Sequence, residues 1–207
     1  MSSLANSRVT AAVHRALDDR QREATEEVER ILAAAVRVME RAAPEPPRVS
    51  DIVTEAGSSN KAFYRYFAGK DDVILAVMER GVAIVVSYLQ HQMAKERTPA
   101  GKVRRWIEGA LAQVADPHLI SMSRAAAGQI SATANWRAAD DEIMRPMRDL
   151  LAEPIAALGS TDVDRDADTV FHCTTATMRR HLDSGDRPGR DDVDHLVRFC
   201  LRGLGAG

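Results

Sequence analysis

Hydrophobic residues recur along most of the chain at intervals of three and four positions, the spacing that places side chains on one face of an α-helix. Between about residues 24 and 42 this face consists of Val28, Ile31, Leu32, Ala35 and Met39. No stretch of the sequence shows the strict alternation of a half-buried β-strand, and no internal repeat is evident. The pattern therefore predicts an all-α protein.

Three predicted helices follow one another closely in the N-terminal third. The first ends before the segment APEPP at 43–47, because proline has no backbone N–H with which to continue a helix. The second is short and ends at Gly57, a residue type that readily adopts the left-handed conformation after a helix. Ser59 is placed to cap the third helix, whose inward side consists of Ala62, Phe63 and Phe67. A short helix, a glycine turn and a second short helix predict a helix–turn–helix.

The rest of the chain predicts a larger helical unit. A fourth helix begins near Asp71 and Asp72, whose negative charges suit a helix N-terminus, and it continues to about Lys95. Further helices are predicted near 101–115, 117–132, 136–158, 164–184 and 190–204. Residues 1–22 have a weaker pattern and predict an N-terminal arm or an extra helix. We place the domain boundary in or near the fourth helix, between a three-helix helix–turn–helix domain at 23–70 and a second domain at 71–207.

Composition and charge narrow the class of protein. The 207 residues are 45% hydrophobic and 28% charged, with a formal net charge of −2, which is typical of a soluble globular protein and argues against indiscriminate binding of polyanions. No apolar run approaches the roughly 18 residues that span a bilayer, and the N-terminus lacks the apolar core of a signal peptide. We therefore expect a cytoplasmic protein without a membrane partner.

The two cysteines give little support to a covalent or metal framework. Cys173 and Cys200 lie 27 positions apart and have no neighbouring cysteine or histidine at a metal-ligand spacing. This arrangement favours buried thiols over a disulfide or a zinc site. The sequence predicts no cofactor.

The most specific chemical signal lies at 55–72, EAGSSNKAFYRYFAGKDD. Residues 63–67 hold four aromatic side chains, although the whole chain is only 4% aromatic. In a helix–turn–helix the second helix enters the major groove of DNA, and residues at its N-terminal end reach the base edges. Asn60 and Lys61 occupy those positions, and their side chains can pair with adenine and guanine. Groups suited to backbone phosphates follow and precede them: Ser58, Ser59, Tyr64, Tyr66 and Lys70.

The segment 48–78, RVSDIVTEAGSSNKAFYRYFAGKDDVILAVM, resembles the DNA-binding region of the TetR family of bacterial transcriptional repressors. The similarity covers about residues 24–80, and its specific part is the order Ile52, Ala56–Gly57, Ser59, Phe63–Tyr64, Tyr66–Phe67 and Lys70. The resemblance implies a homodimer that binds palindromic operator DNA. It also implies a C-terminal domain for dimerisation and for a small-molecule effector that releases the DNA.

The resemblance assigns roles to individual residues of this chain. It places Ser59 at the cap of the recognition helix, Tyr64 at the family's usual tyrosine, and Tyr66 at a phosphate-contacting histidine or tyrosine. Lys70 matches the lysine that begins the fourth helix. Arg48 stands where the family has a phosphate-contacting threonine, and arginine can itself bind a phosphate.

Large, adaptable side chains concentrate in the predicted C-terminal helices, which favours the wall of an apolar effector pocket over ordinary packing. The predicted wall consists of Trp106, Met122, Trp136, Met144, Met147, Phe171 and Met178, with His172 and Thr175 as polar groups that orient the effector. The last helix carries a stripe predicted to form the dimer interface, with burial inside one subunit as the alternative: Val193, Leu196, Val197, Cys200, Leu201 and Leu204.

Two other functions stay open at this stage. The neighbours His172 and Cys173 raise the possibility of a helical enzyme with a thiolate nucleophile. Adjacent residues on a helix point about 100° apart, so we predict that the protein is not an enzyme. A purely architectural DNA-binding protein is the other alternative, and it assigns no role to the long C-terminal region.

Overall fold

The computed structural model describes residues 3–42, 45–114 and 136–206, with side chains described for 8–42, 45–114 and 141–206. Every regular element in these ranges is a helix, which confirms the all-α prediction. The helices are α1 Ser3–Ala42, α2 Val49–Glu55, α3 Asn60–Tyr66, α4 Lys70–Met93, α5 Pro99–Ala112, α6 Trp136–Asp149, α7 Ala152–Ala157, α8 Val163–Ser184 and α9 Arg190–Gly203. The helix predicted at 117–132 lies outside the described residues.

The chain divides into two compact units. The first contains α1 to α3 and the beginning of α4 as far as Val77, and the second contains the chain from Met78 onward. The division falls inside α4, seven residues after the boundary expected from the sequence.

Helix α1 is longer than the hydrophobic pattern predicts, because it starts at Ser3 rather than near residue 24. From Ile31 to Met39 the predicted stripe is buried. Side chains 8–23 are all exposed, including Val9, Val13 and Leu17 at 52–63%. An exposed helix needs no continuous apolar stripe, so the pattern is weak there even though the segment contains no proline or glycine to break the helix.

The turn between α2 and α3 has the predicted geometry. Gly57 has a φ of 59°, the left-handed region in which a side chain is strained. The Ser59 hydroxyl oxygen accepts a hydrogen bond from the Ala62 backbone N–H at 3.1 Å, which satisfies one of the free donors at the start of α3. Phe63 and Phe67 are buried behind the turn, with ring centroids 5.5 Å apart.

Two arginines of α1 bind one carboxylate at the end of α2. Arg37 Nε donates to Glu55 Oε1 at 2.7 Å, and Arg41 Nη2 donates to Glu55 Oε2 at 2.7 Å. Charge-assisted bonds of this length are among the stronger hydrogen bonds in proteins. These hydrogen bonds to Arg37 and Arg41 lower the pKa of Glu55 below its ordinary value of 4.5.

Helix α5 lies at the centre of the larger unit and packs against α7, α8 and α9. Its Trp106 is completely buried, and the indole N–H donates to the Met147 carbonyl oxygen at 2.9 Å. A buried indole needs such a partner, because an unsatisfied donor in an apolar core is costly. Gly109 lets α4 approach closely, since a Cβ there would lie 2.6 Å from Leu89 Cδ2.

The helix predicted at 136–158 is broken into α6 and α7. Pro154 explains the break, because a proline cannot donate to the carbonyl four residues earlier and its ring clashes with that carbonyl. Arg148, near the end of α6, connects this helix to α8. Its guanidinium donates to the Asp168 carboxylate and, at 3.0 Å, to the Asp164 carbonyl oxygen. The bond to Asp168 is the main reason why the pKa of Arg148 is raised.

We expect the Arg37–Glu55–Arg41 contact to make the stability of the protein depend on pH. A carboxylate whose pKa is lower in the folded state stabilises fully above the ordinary value of 4.5, and this contribution is lost as the pH falls through the lowered pKa. The variant Glu55→Gln should therefore melt below the wild type at pH 7, and the two melting temperatures should converge under acid. Thermal unfolding followed by circular dichroism from pH 7 to pH 3 measures this difference.

Glu26, an exposed acid of α1, supplies the control. Glu26→Gln should follow the wild type throughout the titration. A Glu55→Gln deficit that stays constant from pH 7 to pH 3 would show that the ion pair does not cause it.

Candidate nucleic-acid interface

The recognition helix predicted from the sequence is α3, and its residues differ sharply in their exposure to solvent. Ala62 and Phe63 are buried, whereas Asn60, Lys61 and Tyr64 are exposed, Tyr64 to 59%. The Phe63 ring also packs edge-on against Tyr64, with centroids 5.3 Å apart. Burial of one side of a two-turn helix therefore leaves the predicted base-reading side chains, Asn60 and Lys61, free at its N-terminal end.

The other predicted phosphate contacts are spread around this helix. Arg48 is exposed at the position just before α2, and Lys70 is exposed as the first residue of α4. Close to Lys70, the Ala68 backbone N–H donates to the Asp72 carboxylate at 2.8 Å, so an acid of α4 already uses one backbone donor there. Ser59 is exposed, and its oxygen serves as the cap of α3.

Tyr66 and Ser58 point to a common partner that the sequence did not indicate. The Tyr66 hydroxyl donates to Glu27 Oε2 at 3.0 Å, and the Ser58 hydroxyl is 3.4 Å from Glu27 Oε1. Arg65 Nη1 lies 3.7 Å from Glu27 Oε2, and its guanidinium carbon lies 5.7 Å from the centre of the Tyr66 ring. Three donors from the turn and α3 therefore face one carboxylate of α1.

Sequence reasoning missed Glu27 and did not select Arg65. Glu27 lies outside the apolar face of α1, a position that is typical of any solvated acid. Its partners lie 31 and 39 residues away in sequence. The signal that identifies it is the packing of α1 against the helix–turn–helix.

In the described part of the larger unit, the residues predicted to line an effector pocket pack against one another in the hydrophobic core. Trp106, Met147 and Phe171 are buried, with the Trp106 and Phe171 rings 6.2 Å apart. Met144 and Met178 are half-buried against the same core. Met122 and the side chain of Trp136 lie outside the described residues.

The two polar groups predicted to orient an effector do not point into that core. His172 is exposed, and its ring packs edge-on against Phe171. The Thr175 hydroxyl donates within its own helix to the Phe171 carbonyl oxygen at 3.0 Å. A different, polar pocket of about 90 Å³ is lined by Tyr88, Gln92, Arg105, Glu108 and Gly109, well below the roughly 300 Å³ at which ligand pockets begin.

The predicted dimer stripe of α9 is covered within a single subunit. Leu196, Val197, Cys200 and Leu201 are buried in the core around Trp106, and Val193 and Leu204 pack against it half-buried. The opposite side of α9 leaves Phe199 60% exposed. A second subunit that contacts α9 would therefore meet Phe199 rather than this stripe.

The cysteines are free thiols, with Cys173 half-buried and Cys200 buried. Burial raises the pKa of the Cys200 thiol to about 11. At neutral pH Cys200 is therefore protonated, which suits a core residue and not a nucleophile. In the part of the chain that the structure describes, no helix combines the length and apolar character needed to cross a membrane.

Comparison with known proteins supports the interpretation of α1 to α4. Residues 31–77 match the model of the bacterial regulatory proteins of the tetR family. No curated protein matches the chain in sequence.

Solved structures share the fold of most of the chain at low sequence identity. The fatty acid degradation regulator FadR from Bacillus halodurans is 19% identical with a TM-score of 0.64, over 86% of this chain and 98% of that one. FadR from Bacillus subtilis, solved in complex with stearoyl-CoA, is 17% identical with a TM-score of 0.65, over 85% and 96%. A TetR-family regulator from Streptomyces coelicolor is 20% identical with a TM-score of 0.59, over 86% and 87%. Residues 31–77 therefore carry the sequence signature of the bacterial regulatory proteins of the tetR family, and the described helices share the fold of solved transcriptional regulators.

Proposed function

We propose that the protein is a homodimeric repressor that binds palindromic operator DNA through α3 and releases it when a small, largely apolar effector binds. The observation that carries this proposal is the exposed N-terminal end of α3, where Asn60 and Lys61 face the solvent while Phe63 is buried. Two such helices related by a twofold axis match two half-sites about 34–36 Å apart along the duplex.

The proposed interface separates base reading from phosphate binding. Asn60 can form paired hydrogen bonds with adenine, and the Lys61 ammonium can donate to the guanine O6 and N7 acceptors. Arg48, Tyr64 and Lys70 are exposed nearby in the same unit and carry groups that suit phosphates. Phosphate contacts fix the position of the protein, and base contacts provide the discrimination.

We expect Lys61→Ala to change sequence preference and Lys70→Ala to weaken all sequences alike. Loss of one good base contact costs about 1–3 kcal/mol on the preferred operator. Selection of bound duplexes from a random pool, followed by fluorescence anisotropy on the selected and a scrambled duplex, measures both effects. Lys61 has no readout role if the alanine variant selects the same sequence with the same affinity.

The proposed dimer uses the outer faces of α8 and α9. The inner stripe of α9 is needed for the core of its own subunit, whereas His172 and Arg179 of α8 and His195 and Phe199 of α9 are exposed. Two copies of a helix pair can close a four-helix interface. Phe199 is the large apolar side chain of this face, and its burial would contribute most of the hydrophobic free energy available there.

We expect Phe199→Glu to dissociate the dimer while the subunit stays folded. A buried carboxylate without a partner should raise the dissociation constant at least about tenfold, or 1.4 kcal/mol. Sedimentation velocity measures the dimer, and circular dichroism measures the fold. Phe199→Leu should stay dimeric, and Leu196→Glu should unfold the subunit because Leu196 is buried in its core. A folded Phe199→Glu protein that remains dimeric would exclude this interface.

The apolar character of the effector is proposed from the core around Trp106. Phe171 and Met147 are buried there, and the half-buried Met144 and Met178 lie at its edge. Flexible methionines adapt readily to an inserted apolar group. The B. subtilis regulator of the same fold was solved with stearoyl-CoA, which makes acyl chains a reasonable first class of effector to screen. Helix α4, which starts at Lys70 and extends to Met93, is the proposed link between effector and DNA.

We expect effector and operator to weaken each other's binding by the same factor. This reciprocity is a thermodynamic requirement, and a tenfold effect needs about 1.4 kcal/mol of coupling. Saturated fatty acids and their CoA thioesters can be screened by thermal shift, and each hit titrated by calorimetry with and without operator. Met144→Glu and Met178→Glu should weaken binding of the hits. Equal affinity of every hit for free and DNA-bound protein would exclude the release mechanism.

A further inference from the structure

Three hydrogen-bond donors of the proposed DNA-binding unit converge on the Glu27 carboxylate. The Tyr66 hydroxyl lies 3.0 Å away, the Ser58 hydroxyl 3.4 Å and Arg65 Nη1 3.7 Å. The Glu27 side chain is 23% exposed, and Arg65 is 58% exposed. A hydroxyl of serine, a phenol of tyrosine and a guanidinium of arginine are the groups with which proteins bind DNA phosphates.

The Tyr66 hydroxyl cannot serve Glu27 and a phosphate fully at the same time. A phenol has one hydrogen to donate, and in this structure Glu27 accepts it. A phosphodiester has acceptor oxygens and no proton to offer in return. A phosphate contact by Tyr66 therefore requires its bond to Glu27 to break or weaken. A carboxylate and a phosphate that approached the same hydroxyl would also repel each other, because both are negatively charged.

The lengths of the contacts separate Glu27 from the structural acid of the same unit. Glu55 accepts two arginine bonds of 2.7 Å, within the range of strong charge-assisted bonds. The three contacts of Glu27 are all longer, at 3.0–3.7 Å. The short bonds of Glu55 suit an ion pair that holds α1 and α2 together. The longer contacts of Glu27 suit an acceptor that another anion can replace.

We propose that Glu27 occupies, in the DNA-free protein, the place that a DNA phosphate takes in the complex, and that it thereby sets the affinity for every duplex. Binding of DNA exchanges the carboxylate for a phosphate at Ser58, Arg65 and Tyr66. The cost of this exchange is independent of base sequence, since phosphates carry no sequence information. The inference rests on the proposed DNA-binding function and assigns Glu27 as an internal competitor within it.

The test compares Glu27→Gln with the wild type on two duplexes, one selected by the wild-type protein from a random pool and one scrambled. Glutamine retains the size and an acceptor oxygen but removes the charge. Affinity should rise about threefold to tenfold on both duplexes, the range expected when a half-exposed charged contact no longer has to be broken. The slope of log K against log salt should change little, because Arg65 neutralises the same phosphate in both complexes once Glu27 is displaced.

Glu26→Gln is the matched control, because it removes one charge from the adjacent, exposed position of α1. Long-range electrostatics alone would raise the affinity of both variants equally, and that result would overturn the proposal. Unchanged or weaker binding by Glu27→Gln would also overturn it and would show that the contacts of Glu27 stabilise the fold of the unit instead. Glu27→Ala, with its fold checked by circular dichroism, provides a second variant for which the same rise is expected.

A double-mutant cycle with Tyr66→Phe tests the mechanism directly. Tyr66→Phe should bind both duplexes more weakly, and the gain from Glu27→Gln should be smaller in the Tyr66→Phe background, because the hydroxyl for which Glu27 and the phosphate compete is gone. An undiminished gain would overturn the exchange at Tyr66. If the wild type selects no duplex at all, the proposed function fails and this inference with it, whereas selection by the wild type with no gain in Glu27→Gln overturns the inference alone.

Discussion

The smaller unit depends above all on the burial of Phe63, which lies in α3, a helix of only two turns. With Phe63 fully buried and Ala62 beside it, α3 has a fixed rotation about its axis. That rotation decides which side chains face the solvent, since neighbours on a helix point about 100° apart. The left-handed Gly57 and the Ser59 cap then determine where α3 begins. The exposure of Asn60 and Lys61 follows from these hydrophobic and backbone constraints.

Helix α1 contributes two carboxylate contacts of opposite character to this unit. At the end of α2, Glu55 is held by Arg37 and Arg41 of α1 in short bonds that fix the two helices against each other. Near the end of α3, Glu27 of α1 faces the donors Ser58, Arg65 and Tyr66 at longer distances. The first arrangement joins a carboxylate to two cations and lowers its pKa. The second places a negative charge beside groups that suit a polyanion.

The larger unit is organised around Trp106, which needs both an apolar surrounding and one hydrogen-bond acceptor. The Met147 carbonyl supplies the acceptor, and the inward residues of α8 and α9 complete the surrounding. This requirement uses the apolar stripe of α9 inside the subunit and leaves Phe199 outside. The large side chains that suggested a pocket wall are therefore largely occupied by packing in the described residues.

The sequence by itself determined the local features of this protein. Periodicity predicted the all-helical class, and Gly57, Ser59 and Phe63 predicted the turn, the cap and the buried side of α3, because backbone preferences and helical spacing act within a few residues. The order of these residues also led to the resemblance to the DNA-binding region of the TetR family, whose model matches residues 31–77. The contacts of Glu27 with Tyr66, the bond from Trp106 to Met147 and the inward burial of the α9 stripe were decided only by tertiary structure. Each joins helices far apart in the chain, and the helical pattern that marks a face as apolar or charged does not state which partner will cover it.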